Sequence, residues 1–213
     1  MNIKAPFFAV SRHRIETDGK GVTTLVGFHG CPLRCKYCLN PESTSEKTPV
    51  FCLTPEELYQ KVKIDQLYFL ASGGGVTFGG GEPLLYTDFL KKFRELCGRD
   101  WRLCAETSLA VPEENLRLAA NIFDSFFIDC KDTNPDIYFR YTGKSNEGML
   151  KNLSLLASLV PKERITVRLP LIPGFNSDRD REKSETLLRS LGIIHFDRFT
   201  YRISEQKKQS ISL

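Results

Sequence analysis

Six short runs rich in β-branched and aromatic residues recur along the chain, at 21–28, 76–78, 102–106, 126–131, 165–169 and 196–203, with helix signals between them. Thr54-Pro55-Glu56-Glu57 opens the first helical stretch, with a threonine cap, proline at the first helical position and acids in the first turn. Leu58, Val62 and Leu67 would form its buried side. Further helices are expected over 88–97, 112–120, 152–159 and 181–191. Connections of this length return the chain for parallel pairing, which leaves a doubly wound sheet or a (β/α) barrel. The fourth and fifth strands decide between them. Phe127, Asp129 and Lys131 share one face, and Phe126, Ile128 and Cys130 the other; Thr166 and Arg168 likewise oppose Ile165, Val167 and Leu169. A polar face turned inward, with an apolar face under outer helices, suits a barrel interior better than a sheet covered on both sides. A full eight-unit barrel takes about 250 residues. The 213 residues here fit six units. The expected fold is therefore α/β: an incomplete (β/α)6 TIM-like barrel of parallel strands with outer helices, forming one domain over residues 1–213.

Composition narrows the setting. No apolar run reaches the ~18 residues of a membrane span, and residues 1–10 lack the basic, apolar and small-residue succession of a signal peptide. Seven cysteines, an odd number, point to a reducing compartment rather than a disulfide framework. The net charge of +4 comes from bases interleaved with acids, which marks a solvated surface rather than a nucleic-acid face. The expectation is a cytoplasmic monomer without membrane or nucleic-acid partners.

Three of the cysteines stand apart. Cys31, Cys35 and Cys38 lie within eight residues, in the loop that follows the first parallel strand. Exposed thiols oxidise, so three at this density imply that something holds them. Three thiolates on one loop suit a cubane [4Fe-4S] cluster that leaves one iron without a protein ligand, an open position for a substrate. Zinc, with His29 as a fourth ligand, is the alternative from the same residues. Arg34 and Lys36 would offset the charge of a thiolate-ligated cluster, whereas Cys52, Cys97, Cys104 and Cys130 read as small apolar fillers.

Barrel active sites lie at the C-terminal ends of the strands, and the other polar signals fall there. Gly79-Gly80-Gly81 ends the second strand and lets bare backbone approach a ligand, with Glu82 as an acceptor for an ammonium group. Glu106 and Thr107 end the third strand, Asp129 and Lys131 the fourth, and Arg168 lies near the end of the fifth. Asp129 and Lys131 read either as a same-face ion pair or as partners for a ribose and a carboxylate.

Cys31-x₃-Cys35-x₂-Cys38, with Tyr37 before the last cysteine, resembles the signature of the radical S-adenosylmethionine superfamily. Further stretches narrow the likeness: Gly30-Cys-Pro-Leu-Arg-Cys-Lys-Tyr-Cys-Leu-Asn-Pro-Glu-Ser43, Ser72-Gly-Gly-Gly-Val-Thr-Phe-Gly-Gly-Gly-Glu-Pro-Leu-Leu85, Ile128-Asp-Cys-Lys131, Tyr141-Thr-Gly143 with Asn146, and Val167-Arg-Leu-Pro-Leu-Ile-Pro-Gly-Phe-Asn176. Together, from about residue 17 to 195, they resemble the activating enzymes of glycyl radical enzymes. The resemblance implies that Cys31, Cys35 and Cys38 ligate one [4Fe-4S] cluster, whose open iron chelates S-adenosyl-L-methionine. It implies Tyr37 near the adenine, Gly80, Gly81 and Glu82 at the methionine amino group, Asp129 and Lys131 at the ribose and carboxylate, and Arg168 facing the cofactor. Glu106 and Thr107 fall where the family binds a monovalent cation. The implied reaction is reductive cleavage to a 5′-deoxyadenosyl radical, which takes a hydrogen from the Cα of a glycine on a partner glycyl radical enzyme. Flavodoxin or ferredoxin would donate the electron.

The chain departs from that pattern at several points. Leu39 stands where many relatives have histidine, Gly79 replaces serine or threonine, and Glu106-Thr107-Ser108 replaces Asp-Thr-Asn. Phe199-Thr200-Tyr201-Arg202 replaces Leu-Pro-Tyr-His, so that Arg202 would stand in for a cofactor-side histidine, and the segment that follows is short. Only Cys52 lies where many relatives carry a ferredoxin-like insert, so no auxiliary cluster is expected. The rival functions are a radical S-adenosylmethionine enzyme acting on a small molecule or another peptide, and a zinc- or cluster-bearing binding module.

Overall fold

A computed structural model describes residues 3–202. The strands are β1 (Ala5–Ile15), β2 (Val22–Phe28), β3 (Phe51–Leu53), β4 (Gly75–Gly80), β5 (Arg102–Thr107), β6 (Ser125–Asp129), β7 (Ile165–Leu171) and β8 (His195–Thr200). They form a single sheet in the order β3-β1-β2-β4-β5-β6-β7-β8. The six strands from β2 to β8 pair in parallel, each beside the next in the sequence of units. Among the described residues β8 pairs only with β7 and β3 only with β1, so the sheet does not close. This is the incomplete barrel expected from the sequence. The final strand stops at Thr200, and residue 203 of the expected run lies outside the described residues.

The antiparallel margin was not expected. β1 pairs with β2 across the turn Thr17-Asp18-Gly19-Lys20-Gly21, and β3 adds beyond it. The turn folds back inside: Asp18 is 6% exposed, and its carbonyl accepts from the buried Thr77 hydroxyl. The hairpin tip therefore plugs part of the interior that two missing barrel units would otherwise leave open.

The helices are α1 (Pro55–Lys63), α2 (Gln66–Ser72), α3 (Thr87–Cys97), α4 (Glu113–Ile122), α5 (Pro135–Thr142), α6 (Glu147–Leu159) and α7 (Asp178–Ser190). α1 starts at the expected capping box: Thr54 accepts from the Glu57 amide, and Glu57 accepts from the Thr54 amide. Leu58 and Val62 are fully buried, but Leu67 is 79% exposed. The expected continuous helix breaks because Asp65 turns inward, where its carboxylate accepts from Arg12 Nε at 2.8 Å, Arg12 Nη2 at 2.6 Å and Thr24 Oγ1 at 3.2 Å. α2 restarts with a different face, which leaves Leu67 in solvent. α5 also escaped the sequence reading, although Asn134 caps it, Pro135 opens it and Gly143 ends it in the left-handed region.

The core lies between the sheet and the helices. Phe78 and Phe93 meet edge to face at 5.2 Å, and Phe69 and Trp101 at 5.1 Å. Phe126, Ile128, Ile165 and Val167 face outward into this layer, as the strand alternation requires. Among the described residues, no helix is long and apolar enough to cross a membrane. Phe93→Ala should lower unfolding free energy by about 3–5 kcal/mol, whereas Leu67→Ser should change it by under about 0.5 kcal/mol. Urea unfolding midpoints read both, and equal losses would contradict the packing described.

Candidate active site

One cavity of about 390 Å³ opens at the C-terminal ends of the parallel strands, within the size range of small-molecule sites. Its lining brings together Cys31, Cys35, Cys38, Gly80, Gly81, Glu106, Thr107, Asp129, Lys131 and Arg168. These come from the loop after β2 and from the ends of β4, β5, β6 and β7. They are widely separated in sequence and meet because every unit presents its C-terminal end to the same mouth.

The cysteine loop is held on two sides. Toward β4, the Gly81 amide donates to the Phe28 carbonyl at 2.9 Å and the Glu82 amide to the Gly30 carbonyl at 2.8 Å. Toward α5, the Arg34 amide donates to Thr142 O at 2.9 Å and the Lys36 amide to Tyr141 O at 3.0 Å. Glycine is needed at the first contact. A Cβ on Gly81 would lie 2.0 Å from the Gly30 carbonyl oxygen, and Gly80 has φ +92° with its Cβ position 2.7 Å from Gly27 Cα. The bare backbone thus lets the turn approach the cysteine loop as well as the cavity.

A charged row spans the inner face of β5 to β8. Asp129 pairs in register with Arg168, and Arg168 with Asp197. Arg168 Nη2 donates to Glu106 Oε1 at 2.7 Å and its guanidinium lies over the Phe127 ring at 4.5 Å. Lys131 Nζ donates to Asp129 Oδ2 and to the Tyr201 hydroxyl, both at 3.0 Å. Burial opposes the Asp129 carboxylate, but Lys131 and Arg168 outweigh it and hold its pKa below the ordinary value. Burial likewise opposes the Lys131 ammonium, and Asp129 foremost pushes its pKa well above the usual range.

Two expected site residues lie elsewhere. Glu82 is fully buried, and its carboxylate accepts from Thr107 Oγ1 at 2.6 Å, Ser108 Oγ at 2.7 Å, the Ser108 amide at 2.9 Å and the Leu84 amide at 3.2 Å. It braces the β4 turn against the end of β5 and offers no acceptor to an ammonium in the cavity. Tyr37, 8% exposed, packs behind the loop against Tyr141 and Phe175, outside the cavity lining. Arg202 is exposed and does not line the cavity; its neighbour Tyr201 does. Cys52 is exposed in β3 and is no filler, whereas Cys97, Cys104 and Cys130 are buried.

The cavity also includes residues without an expected role, among them Arg14, Asp18, Tyr141 and Asp197, together with Ser108 of the departing Glu106-Thr107-Ser108. The Asp-Gly turn signal at Asp18-Gly19 was available for the first two. Tyr141 lay in a motif without a stated role, and its buried hydroxyl makes no well-formed hydrogen bond among the described residues.

Cys31, Cys35 and Cys38 are free thiols of the type an iron–sulfur cluster takes, although among the described residues no three His, Cys, Asp or Glu side chains are already gathered around a metal position. Burial pushes the Cys31 thiol up to about 12 and the Cys35 thiol up to about 11, so thiolates here require adjacent positive charge, which iron supplies. His29 does not join them, since its Nε2 lies 3.3 Å from the Ser45 carbonyl and the residue is absent from the cavity lining. The monovalent cation fits less well. Glu106 already binds Arg168, and the Thr107 hydroxyl donates to Glu82. A guanidinium supplies the positive charge at that position.

The sequence matches the Radical SAM superfamily over residues 25–187, most of the chain. The chain belongs to that superfamily. The radical S-adenosylmethionine enzyme is 33% identical to the pyruvate formate-lyase-activating enzyme of Staphylococcus aureus, over 79% of this chain and 70% of that protein. It is 29% identical to the (2S)-3-sulfopropanediol dehydratase activating enzyme of Klebsiella oxytoca, over 90% of this chain and 80% of that protein. A domain of the pyruvate-formate lyase-activating enzyme from Bacteroides vulgatus superposes with a TM-score of 0.51 at 26% identity, over 65% of this chain and 90% of that domain. Peptide-bound SuiB from Streptococcus suis superposes with a TM-score of 0.65 at 12% identity; 84% of this chain is matched, against 38% of SuiB. The enzyme's homologues are thus activases of glycyl radical enzymes, and the superfamily implies a [4Fe-4S] cluster and S-adenosylmethionine.

The charged pair makes a pH prediction. Asp129, with a depressed folded pKa, contributes stability that is present above about 3.9 and is lost as pH falls through its lower folded value. Lys131, with a raised folded pKa, contributes stability present below about 10.4 and lost as pH rises through its higher folded value. Carbon-13 NMR of the Asp129 carboxyl should therefore show no titration between these ordinary values, and Lys131→Met should move its titration upward. A neutral-range titration in the unmodified protein would contradict the ion pair.

Proposed function

We propose that this enzyme installs a glycyl radical on a partner protein. The observation that carries the reading is the single cavity shared by the three loop cysteines, the Gly80–Gly81 backbone and the Asp129–Lys131 pair. Homology to activases of glycyl radical enzymes supports it.

In this reading Cys31, Cys35 and Cys38 would hold one [4Fe-4S] cluster, and a position without a protein ligand would be free to take S-adenosylmethionine. When bound and reduced, that group would supply the electron for cleaving S-adenosylmethionine to methionine and a 5′-deoxyadenosyl radical, the species that would take a hydrogen from the Cα of one partner glycine. The electron comes from a low-potential carrier of the flavodoxin or ferredoxin kind. The chain's own residues bind and shield. Gly80 and Gly81 would present backbone groups to the methionine amino end. Asp129 would accept from the ribose hydroxyls and Lys131 would pair with the carboxylate, while Tyr201 fixes the lysine by the hydrogen bond at 3.0 Å. Arg168, anchored by Glu106, keeps positive charge beside Asp129. Leu33, Leu39 and Phe199 add apolar surface to the cavity lining, which would favour keeping water from the radical once cofactor and partner cover the mouth. An unclosed sheet would suit the approach of a partner's glycine loop to the cavity.

Anaerobic reconstitution separates ligands from fillers. Cys35→Ala should abolish iron and sulfide uptake, and Cys97→Ala should leave both intact; equal loss in the two would mean the ligands are wrongly chosen. The partner claim has its own readout. Incubation with a candidate glycyl radical enzyme, S-adenosylmethionine and a strong reductant should give the glycyl radical by electron paramagnetic resonance. Formation of 5′-deoxyadenosine without a glycyl radical on any such partner would favour another substrate class.

A further inference from the structure

The back of the cysteine loop carries a charge pattern that the cavity does not use. Arg34 and Lys36 on the loop, and Arg140 and Lys144 around the end of α5, are all exposed. Backbone hydrogen bonds zip the two segments together, from the Arg34 amide to Thr142 O at 2.9 Å and from the Lys36 amide to Tyr141 O at 3.0 Å. Neither 34–36 nor 139–144 contains an aspartate or glutamate. Among the described residues, none of the four bases enters an ion pair. Arg34 donates to the carbonyls of Cys31 and Leu33 at 2.9 and 3.2 Å, and Arg140 to that of Phe175 at 3.0 Å. These neutral acceptors orient the guanidiniums and leave them without an ion-pair partner among the described residues. The exposed acids Asp136 and Glu147 flank the face without pairing to it. Phe139, 60% exposed, directly precedes Arg140 in α5.

The loop separates this face from the cavity. All three cysteines line the cavity, and none of the four bases does. The cofactor and the partner's glycine strand must occupy the cavity and its mouth, so an electron has to enter through the other side of the loop. We propose that the face formed by Arg34, Lys36, Phe139, Arg140 and Lys144 docks an acidic, low-potential one-electron carrier protein. The inference rests on the functional reading above. In each turnover the carrier is oxidised by one electron and the sulfonium accepts it; the C5′–S bond breaks, leaving methionine and the 5′-deoxyadenosyl carbon radical. Opposite charge speeds encounter without demanding a large interface, and an exposed aromatic among arginines is a common anchor.

The test uses the reconstituted enzyme, S-adenosylmethionine and two reductants, reduced flavodoxin and dithionite, with 5′-deoxyadenosine as the readout. Arg140→Glu with Lys144→Glu should lower kcat/KM for flavodoxin by ~10-fold or more, and leave the dithionite rate unchanged. Equal flavodoxin rates in variant and parent would overturn the proposal, as would an equal loss with both reductants, which would assign the residues to the fold or the site. Salt repeats the test without mutation: the parent's flavodoxin rate should fall as ionic strength rises, and a flat response would contradict a charged docking face. No 5′-deoxyadenosine from the parent with dithionite would instead defeat the functional reading, and the docking proposal with it.

Discussion

The contact between Gly81 and the Gly30 carbonyl sets the geometry on which the site depends. Two backbone segments meet there at a distance that admits no side chain, a Cβ falling 2.0 Å from the oxygen. The adjacent amides of Gly81 and Glu82 then bond to Phe28 and Gly30, so the cysteine loop leaves β2 already fixed against the turn after β4. Glu82 stiffens the turn from beneath by accepting from Thr107 and Ser108 at the end of β5. Three neighbouring units are therefore coupled at the level of the cysteines. A loop of this kind needs such support, because catalytic groups act only when their own positions are held by packing and hydrogen bonds.

The second constraint is electrostatic. Glu106, Asp129, Arg168 and, just beyond β6, Lys131 face the cavity together, a density of charge that burial would penalise if any of them stood alone, while the exposed Asp197 of β8 lies at the rim. They stand together instead. Arg168 is shared among Glu106 at 2.7 Å, Asp129 at 3.9 Å and Asp197 at 3.9 Å, and Lys131 is shared between Asp129 and Tyr201. The row keeps both signs available toward the cavity, which suits a cofactor that carries a sulfonium, an ammonium, a carboxylate and ribose hydroxyls. The cysteines require positive charge on one side of the loop, and the basic face on the other offers an acidic protein a place to dock.

The parallel barrel was legible because its signal is local: β-branched runs, capped helices and inward polar residues at period two fall within single segments. The site residues on strand ends followed from that pattern and from the motif resemblance. What escaped is tertiary. Leu67 falls in helical spacing with Leu58 and Val62, but the inward turn of Asp65 toward Arg12 and Thr24 breaks the helix between them. Glu82 follows a glycine turn and reads as a ligand, until the hydroxyls of Thr107 and Ser108 prove to sit beneath it. Asp18 lies in a plain hairpin turn, and only the absence of two barrel units gives that turn an interior to fill. Tyr201 and Arg202 are adjacent in sequence, and the direction of the chain after β8 decides that the tyrosine faces the cavity.

The central claim is that one cavity joins a cluster with a free iron position to the groups that hold S-adenosylmethionine. Electron paramagnetic resonance of the anaerobically reconstituted, reduced enzyme, recorded with and without S-adenosylmethionine, tests it most directly. The account predicts a [4Fe-4S]⁺ signal whose g-values shift when S-adenosylmethionine is added, with the shift weakened in Lys131→Met. A cluster signal that S-adenosylmethionine leaves unchanged, or a protein that takes up no cluster, would contradict it.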